Sequence, residues 1–173
     1  QIIVSSEPDQ FESAVDRLIK CLAEVGTWMS KNCLKLNQNK SQFLPVGTWQ
    51  HLSKVKIDSI MIEDNEIKFC RKATNLGCIF DTKLKLCDHI KSLSKSCSAQ
   101  LQRIYRIRKY LDQTVTQSLV HAFVYSRLDY CNSLFYGLPD RSIADLQSIQ
   151  NRAAKVIVRG RKYDHVTPIL NSL

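Results

Sequence analysis

Apolar residues recur at three- and four-residue intervals from Phe11 through Val15, Leu18, Ile19, Leu22 and Val25 to Met29. That is the spacing of one helix face. Ser6, followed by Glu7, Pro8 and Asp9, supplies a capping hydroxyl, an early proline and first-turn acids. The pattern predicts one amphipathic helix over roughly residues 7–31. Ile2-Ile3-Val4 before it reads as the tail of a buried strand. The pattern then shortens. Asn37-Gln38-Asn39 is turn-rich, and Ser41 to Val46 reads as extended, with Pro45 marking an edge or a strand end. Val55-Lys56-Ile57, Ile60-Met61-Ile62 and Ile67-Lys68-Phe69 alternate as short strands do, with Glu63-Asp64-Asn65 as a hairpin turn between the last two. Ala73 to Phe80 reads as a further strand, in which Gly77 predicts a bulge or a close backbone approach.

After residue 83 the helical period returns. Ile90, Leu93, Cys97, Leu101, Ile104, Ile107 and Leu111 form one stripe. Asp112 or Thr114 caps a second helix whose apolar face is read as Val115, Leu119, Ala122, Phe123 and Tyr130, ended by Gly137-Leu138-Pro139. Asp140 or Ser142 caps a third, carrying Ile143, Leu146, Ile149, Ala153, Val156 and Ile157, and Gly160 is expected to close it. The expected fold is therefore α+β: short antiparallel strands with a packed helix over residues 1–82, then an all-helical bundle over 83–173.

The 173 residues suffice for a sizeable core, and 44% apolar with 24% charged residues is the balance of a globular protein. No apolar run reaches the length of a membrane span, and no secretory signal opens the chain. Seven cysteines, an odd number without paired spacing, do not read as a disulfide framework. A reducing intracellular compartment, cytosol or nucleus, is expected.

Charge changes the picture more than composition does. The net charge is +9, and it is unevenly placed. Residues 83–109 hold eight bases (Lys83, Lys85, Lys91, Lys95, Arg103, Arg106, Arg108 and Lys109) against the single acid Asp88. Residues 151–163 hold five bases and no acid, while residues 7–30 are acidic. Two basic blocks on a near-neutral body fit a polyanion partner, although solvated helix faces give the same count.

Signs of catalysis are few. Glu63-Asp64 is the only adjacent acidic pair, and it falls in a predicted turn, where acids are common for local reasons. The four histidines make no zinc spacing, and neither a phosphate loop nor a nucleophile elbow is present. No metal ligands are expected. Lys40, at a turn, can act as a point charge or a proton donor to phosphate, or can simply be a solvated lysine.

Four stretches in order resemble the reverse transcriptases of non-LTR (LINE-type, jockey-like) retrotransposons. Trp28-Met29-Ser30 with Leu34-Lys35-Leu36-Asn37-Gln38-Asn39-Lys40-Ser41 resembles polymerase motif D. Asn75-Leu76-Gly77-Cys78-Ile79-Phe80-Asp81 resembles motif E, the primer-grip hairpin, although an aromatic residue is usual where Asn75 stands. Ser126-Arg127-Leu128-Asp129-Tyr130-Cys131-Asn132-Ser133-Leu134 with Gly137-Leu138-Pro139, and the stretch from Leu146 to Ala154, resemble that family's thumb region.

The resemblance implies the rear of a polymerase palm over 1–82 and a thumb over 83–173, cut at its far end. The metal-binding Asp-Asp turn, the fingers and the endonuclease would belong to a longer parent chain upstream of Gln1, and with them the Mg²⁺ that the parent polymerase needs. It further implies that Lys40 protonates the leaving pyrophosphate and that Leu76 and Gly77 form the primer-grip turn. Lys91, Lys95, Arg103, Arg106, Arg108, Arg152 and Lys155 would hold an RNA/DNA primer–template duplex. The segment would not polymerise alone. Two rival readings stand beside this one. The first is a domesticated or decayed retroelement remnant serving as a nucleic-acid-binding or protein-interaction module. The second is a purely structural helical adaptor.

Overall fold

In a computed structural model, the chain is a mixed α+β molecule that divides into two compact units, Gln1–Leu84 and Lys85–Leu173. The structure describes residues 1–55, 58–62, 65–161 and 163–172.

In the first unit, a single 3₁₀ turn at Pro8–Gln10 leads into helix α1, Phe11–Lys31. Glu7 rather than Ser6 precedes that turn, and no side chain caps it. The C-terminus of α1 is closed by a Schellman arrangement. Cys33 adopts the left-handed conformation (φ 57°), its N–H donates to Ser30 O at 3.2 Å, and Leu34 N–H reaches back to Met29 O at 2.8 Å. Asn32 adds a side-chain bond to Trp28 O at 2.8 Å. A short helix, α2 (Trp49–Leu52), is capped by the Thr48 hydroxyl, which accepts from His51 N–H.

Two antiparallel hairpins follow. Strand β1 (Ser59–Ile62) pairs with β2 (Asn65–Lys68), and β3 (Lys72–Asn75) pairs with β4 (Cys78–Asp81). Alternation turns Ile60, Ile62 and Ile67 to one face, where they bury against Val15 of α1, ringed by Phe11, Leu18, Leu22 and Phe43. Each such aliphatic side chain stabilises the fold by about 1.5–3 kcal/mol. The expected run Ala73–Phe80 is thus not one strand. Leu76 and Gly77 form a two-residue loop between Asn75 and Cys78, with φ of 48° and 82°. Two consecutive positive φ values match the right-handed twist of a hairpin, so the glycine makes a turn rather than a bulge. Ile2-Ile3-Val4 joins no ladder, and Ile3 is 80% exposed. Ser41–Val46 contributes only an isolated bridge, Phe43 to Phe69. Of the other expected turn and strand residues, Lys56, Ile57, Glu63 and Asp64 lie outside the described residues.

The second unit packs α3 (Cys87–Ile107) against α6 (Asp140–Val158), with α4 (Gln113–Val120), α5 (Ser126–Asp129) and α7 (Val166–Ser172) around them. Cys97, Leu101 and Ile104 of α3 meet Ile149, Ala153 and Ile157 of α6 and Val120 and Val124. Cys97 and Ala153 are both fully buried, and their small size lets the two helices approach closely. Leu101→Ala here would cost about 3 kcal/mol.

Helices α4 and α5 are joined through a π-helical turn, His121–Tyr125, so they form one interrupted helix. Its buried positions are Thr116, Val120 and Val124. The helical spacing predicts Val115, Ala122, Phe123 and Tyr130 as inward-facing, yet all four are exposed. Positions four apart drift about 40° around a regular α-helix, and the wider π turn takes up that drift. Thr116 tolerates burial because its hydroxyl donates to Asp112 O at 2.6 Å. Asp112 is the helix cap, accepting from Val115 N–H at 2.7 Å. Helix α6 starts directly after Pro139, without a side-chain cap from Asp140 or Ser142.

Candidate nucleic-acid interface

The C-terminal carbonyls of a helix lack intrahelical donors. In α6 they are met by an arginine from another element. Arg108, in the 3₁₀ turn that follows α3, donates from Nε to Val156 O (2.9 Å), from Nη2 to Ile157 O (2.6 Å) and from Nη1 to Leu111 O (2.7 Å). It is only 6% exposed. Arg159 ends α6 in the left-handed conformation that was expected of Gly160, while Gly160 N–H bonds Lys155 O at 2.8 Å. From there Arg159 Nη2 reaches Leu111 O at 3.1 Å. Burial, then the nearby Arg159 charge, pushes the Arg108 pKa below its ordinary value, partly offset by Asp112. A guanidinium nonetheless stays charged at any ordinary pH. Arg108 therefore leaves the set of surface cations in which the sequence reading had placed it: its fork is committed to backbone oxygens.

The other basic residues of α3 point away from the core. Lys91, Lys95, Arg103 and Arg106 are all exposed. At about 100° per residue Lys95, Arg103 and Arg106 fall on the side of α3 opposite Cys97 and Leu101, and Lys91 falls on its flank. The stripe runs about 22 Å along the axis. No acid occurs between His89 and Leu111 in the sequence, and among the described residues no salt bridge engages any of the four.

Two neighbouring helices widen this stripe. Ser96 and Ser98 lie on opposite flanks of α3, each about 100° from the core direction. The Arg127 guanidinium of α5 donates to Ser96 Oγ, and Arg152 of α6 donates to Ser98 Oγ at 3.2 Å. Both arginines are exposed. The result is a band of six cations across three helices. Arg152 was an expected member and Arg127 was not. The sequence signal for Arg127 was its place in the Ser126–Leu134 stretch, but its contact with Ser96 depends on how α5 follows the π turn. Lys155, also expected, is partly buried on α6.

In the first unit, Lys40 sits on a 3₁₀ turn, Gln38–Lys40, and not at the end of a strand. Its N–H is held by Asn37, through the backbone O at 3.1 Å and Oδ1 at 3.3 Å, and its side chain is exposed. Just beyond it, Gln42 Oε1 accepts from Thr74 N–H at 2.9 Å, which ties this turn to the β3–β4 hairpin. The hairpin tip presents Leu76 with 80% of its surface exposed. An open cleft of about 360 Å³ beside the turn is lined by Asn39, Ser41, Gln42, Asn65, Glu66 and Lys68, among others.

Among the described residues, no group of three or more His, Cys, Asp or Glu side chains converges as a metal site requires. No helix of the described residues is long and apolar enough to cross a membrane. The described cysteines form no disulfide. Compared with known proteins, the chain matches no family model, no curated protein and no solved structure.

Proposed function

We propose that the chain grips the sugar–phosphate backbone of a primer–template duplex, as the palm end and thumb of a non-LTR retrotransposon reverse transcriptase. The observation that carries this reading is the six-cation band of Lys91, Lys95, Arg103, Arg106, Arg127 and Arg152, all exposed, with no acid in the sequence between His89 and Leu111. Cations spread over about 22 Å engage successive phosphates, and each contact releases a condensed counterion. Such contacts position a duplex without reading its sequence, as a polymerase requires. The β3–β4 tip supports the same reading, because the Leu76-Gly77 loop is exposed and its glycine carries no side chain to hold a primer end away. Lys40 would act as the proton donor only within a complete polymerase. An intracellular, nuclear setting goes with this function.

The test is equilibrium binding of the purified chain to an RNA/DNA duplex across a salt series, with a DNA-synthesis assay beside it. The expected result is steeply salt-dependent binding with no DNA made. A well-folded sample without duplex affinity at low salt would overturn the proposal.

A further inference from the structure

The end of α3 differs from the rest of the basic band. Tyr105 is 69% exposed and Tyr110 is 77% exposed, in the segment Arg103-Ile104-Tyr105-Arg106-Ile107-Arg108-Lys109-Tyr110. Such surfaces are unusual for large aromatic rings, which ordinarily bury most of their area. Ile104 points into the core and Arg108 is held by carbonyls, so what is exposed is Arg103, Tyr105, Arg106, Ile107, Lys109 and Tyr110. Tyr105 and Arg106 lie on the last turn of α3, and Lys109 and Tyr110 on the 3₁₀ turn that continues it. Lys109 Nζ lies 4.6 Å from the Tyr110 centroid, a cation–π contact that steadies one face of that ring. The Arg108 clip fixes the backbone beneath them through three hydrogen bonds. The two rings thus flank a backbone position that is anchored to α6 and the Leu111 loop.

From this we infer that the α3 tip is a stacking platform for unpaired nucleotides, in which Tyr105 and Tyr110 take the bases and Arg103, Arg106 and Lys109 take the phosphates of a single strand. This rests on the backbone-gripping function proposed above and deepens it by naming a second form of substrate. A paired duplex hides its base faces, so its phosphates need only the cations. A single strand offers a π face at every base, and stacking on an aromatic side chain is tolerant of sequence. Charge complementarity favours a nucleic acid over an acidic protein, because bare rings between cations match base next to phosphate.

The test uses the whole chain and two probes of like charge: a blunt duplex, and an oligothymidylate of about 12 nucleotides with a fluorescent adenine analogue inserted. The expected result for Tyr105→Ala with Tyr110→Ala is a loss of single-strand affinity of about tenfold or more, with duplex affinity within about twofold of wild type. Fluorescence quenching by the wild type would vanish in the double variant, while Tyr105→Phe with Tyr110→Phe would keep both affinity and quenching. Tyr136→Ala, at a ring that is 96% exposed, is the control and should change nothing. Equal losses on both probes, or none on the single strand, would overturn the platform and leave duplex gripping standing. Absence of duplex binding by the wild type would instead remove the reading beneath it. A single-strand loss in the alanine variant without any quenching in the wild type would also count against stacking.

Discussion

Arg106 and Arg108 stand two residues apart on the same helix end and are used in opposite ways. Arg106 is exposed and, among the described residues, in no salt bridge, as are Lys91, Lys95 and Arg103. Arg108 is buried, and its three nitrogens close the last turn of α6 and the Leu111 loop. The difference lies in what surrounds the charge. A cation in water interacts with a polyanion through counterion release and needs no fixed geometry. A buried cation must have its donors met, and the orphaned carbonyls of a helix C-terminus meet them while gaining from the positive charge. One basic segment therefore supplies both a binding band and a structural clip, and substitutions along it should separate cleanly into two kinds.

The largest effect on stability is expected at the clip. Arg108→Ala leaves Val156 O, Ile157 O and Leu111 O without this donor, and should destabilise the helical unit by about 3 kcal/mol in urea unfolding. Arg108→Lys should recover less than half of that, because an ammonium cannot reproduce a planar fork. If Arg108→Ala unfolded like wild type but bound duplex more weakly, the two uses would have been assigned the wrong way round.

Removing the flanking cations should do the reverse. Arg127→Ala and Arg152→Ala each break one exposed bond to a serine, which is worth at most about 0.5 kcal/mol of stability. Each should weaken duplex binding severalfold, by about 1 kcal/mol, as read by fluorescence anisotropy at low salt.

A second buried base sharpens the contrast. His89 is buried and stacks on Phe135 with ring centroids 5.8 Å apart. Unlike Arg108 it can shed its proton, and burial pushes its pKa below the ordinary histidine value. The folded state then binds fewer protons than the unfolded state just below pH 6.5, so its stability falls as pH drops through and below that value. His89→Phe should flatten this dependence in pH-resolved urea titrations, whereas an unchanged slope would exclude His89 as its source.

The smallest expected effects compare two strained residues. Arg159 and Cys33 both hold left-handed backbone, with φ of 56° and 57°. Cys33→Gly relieves the strain without loss of packing, since Cys33 is exposed, and should stabilise by about 0.5 kcal/mol. Arg159→Gly relieves the same strain but removes the bond to Leu111 O, so the gain should vanish or reverse.

These contrasts mark where the sequence could be read and where it could not. The stripe Ile90–Ile104 and the α6 face from Leu146 to Ile157 repeat at regular helical intervals, and those residues are where the core of the helical unit lies. The same method fails at α4–α5, because the π turn changes the period within the element and brings Thr116, Val120 and Val124 inside. A count of charges cannot tell Arg108 from Arg106, because the carbonyls that claim Arg108 come from residues 48 and 49 positions away. Arg127 is hidden in the sequence for a related reason: its partner, Ser96, is 31 residues distant. Gly77 was correctly singled out as a special backbone position, yet alternation of apolar residues across it disguised a hairpin turn as one continuous strand.

The measurement that bears most directly on the central claim is the salt dependence of duplex binding by wild type and by a variant carrying Lys91→Ala, Lys95→Ala, Arg103→Ala and Arg106→Ala. With about six phosphate contacts, the wild-type logarithmic slope should be about −5, and the variant should lose about three to four units of that slope while unfolding at the same urea concentration. A wild-type slope near zero, or an unchanged slope in a folded variant, would contradict the assignment of the α3 band to a nucleic-acid backbone.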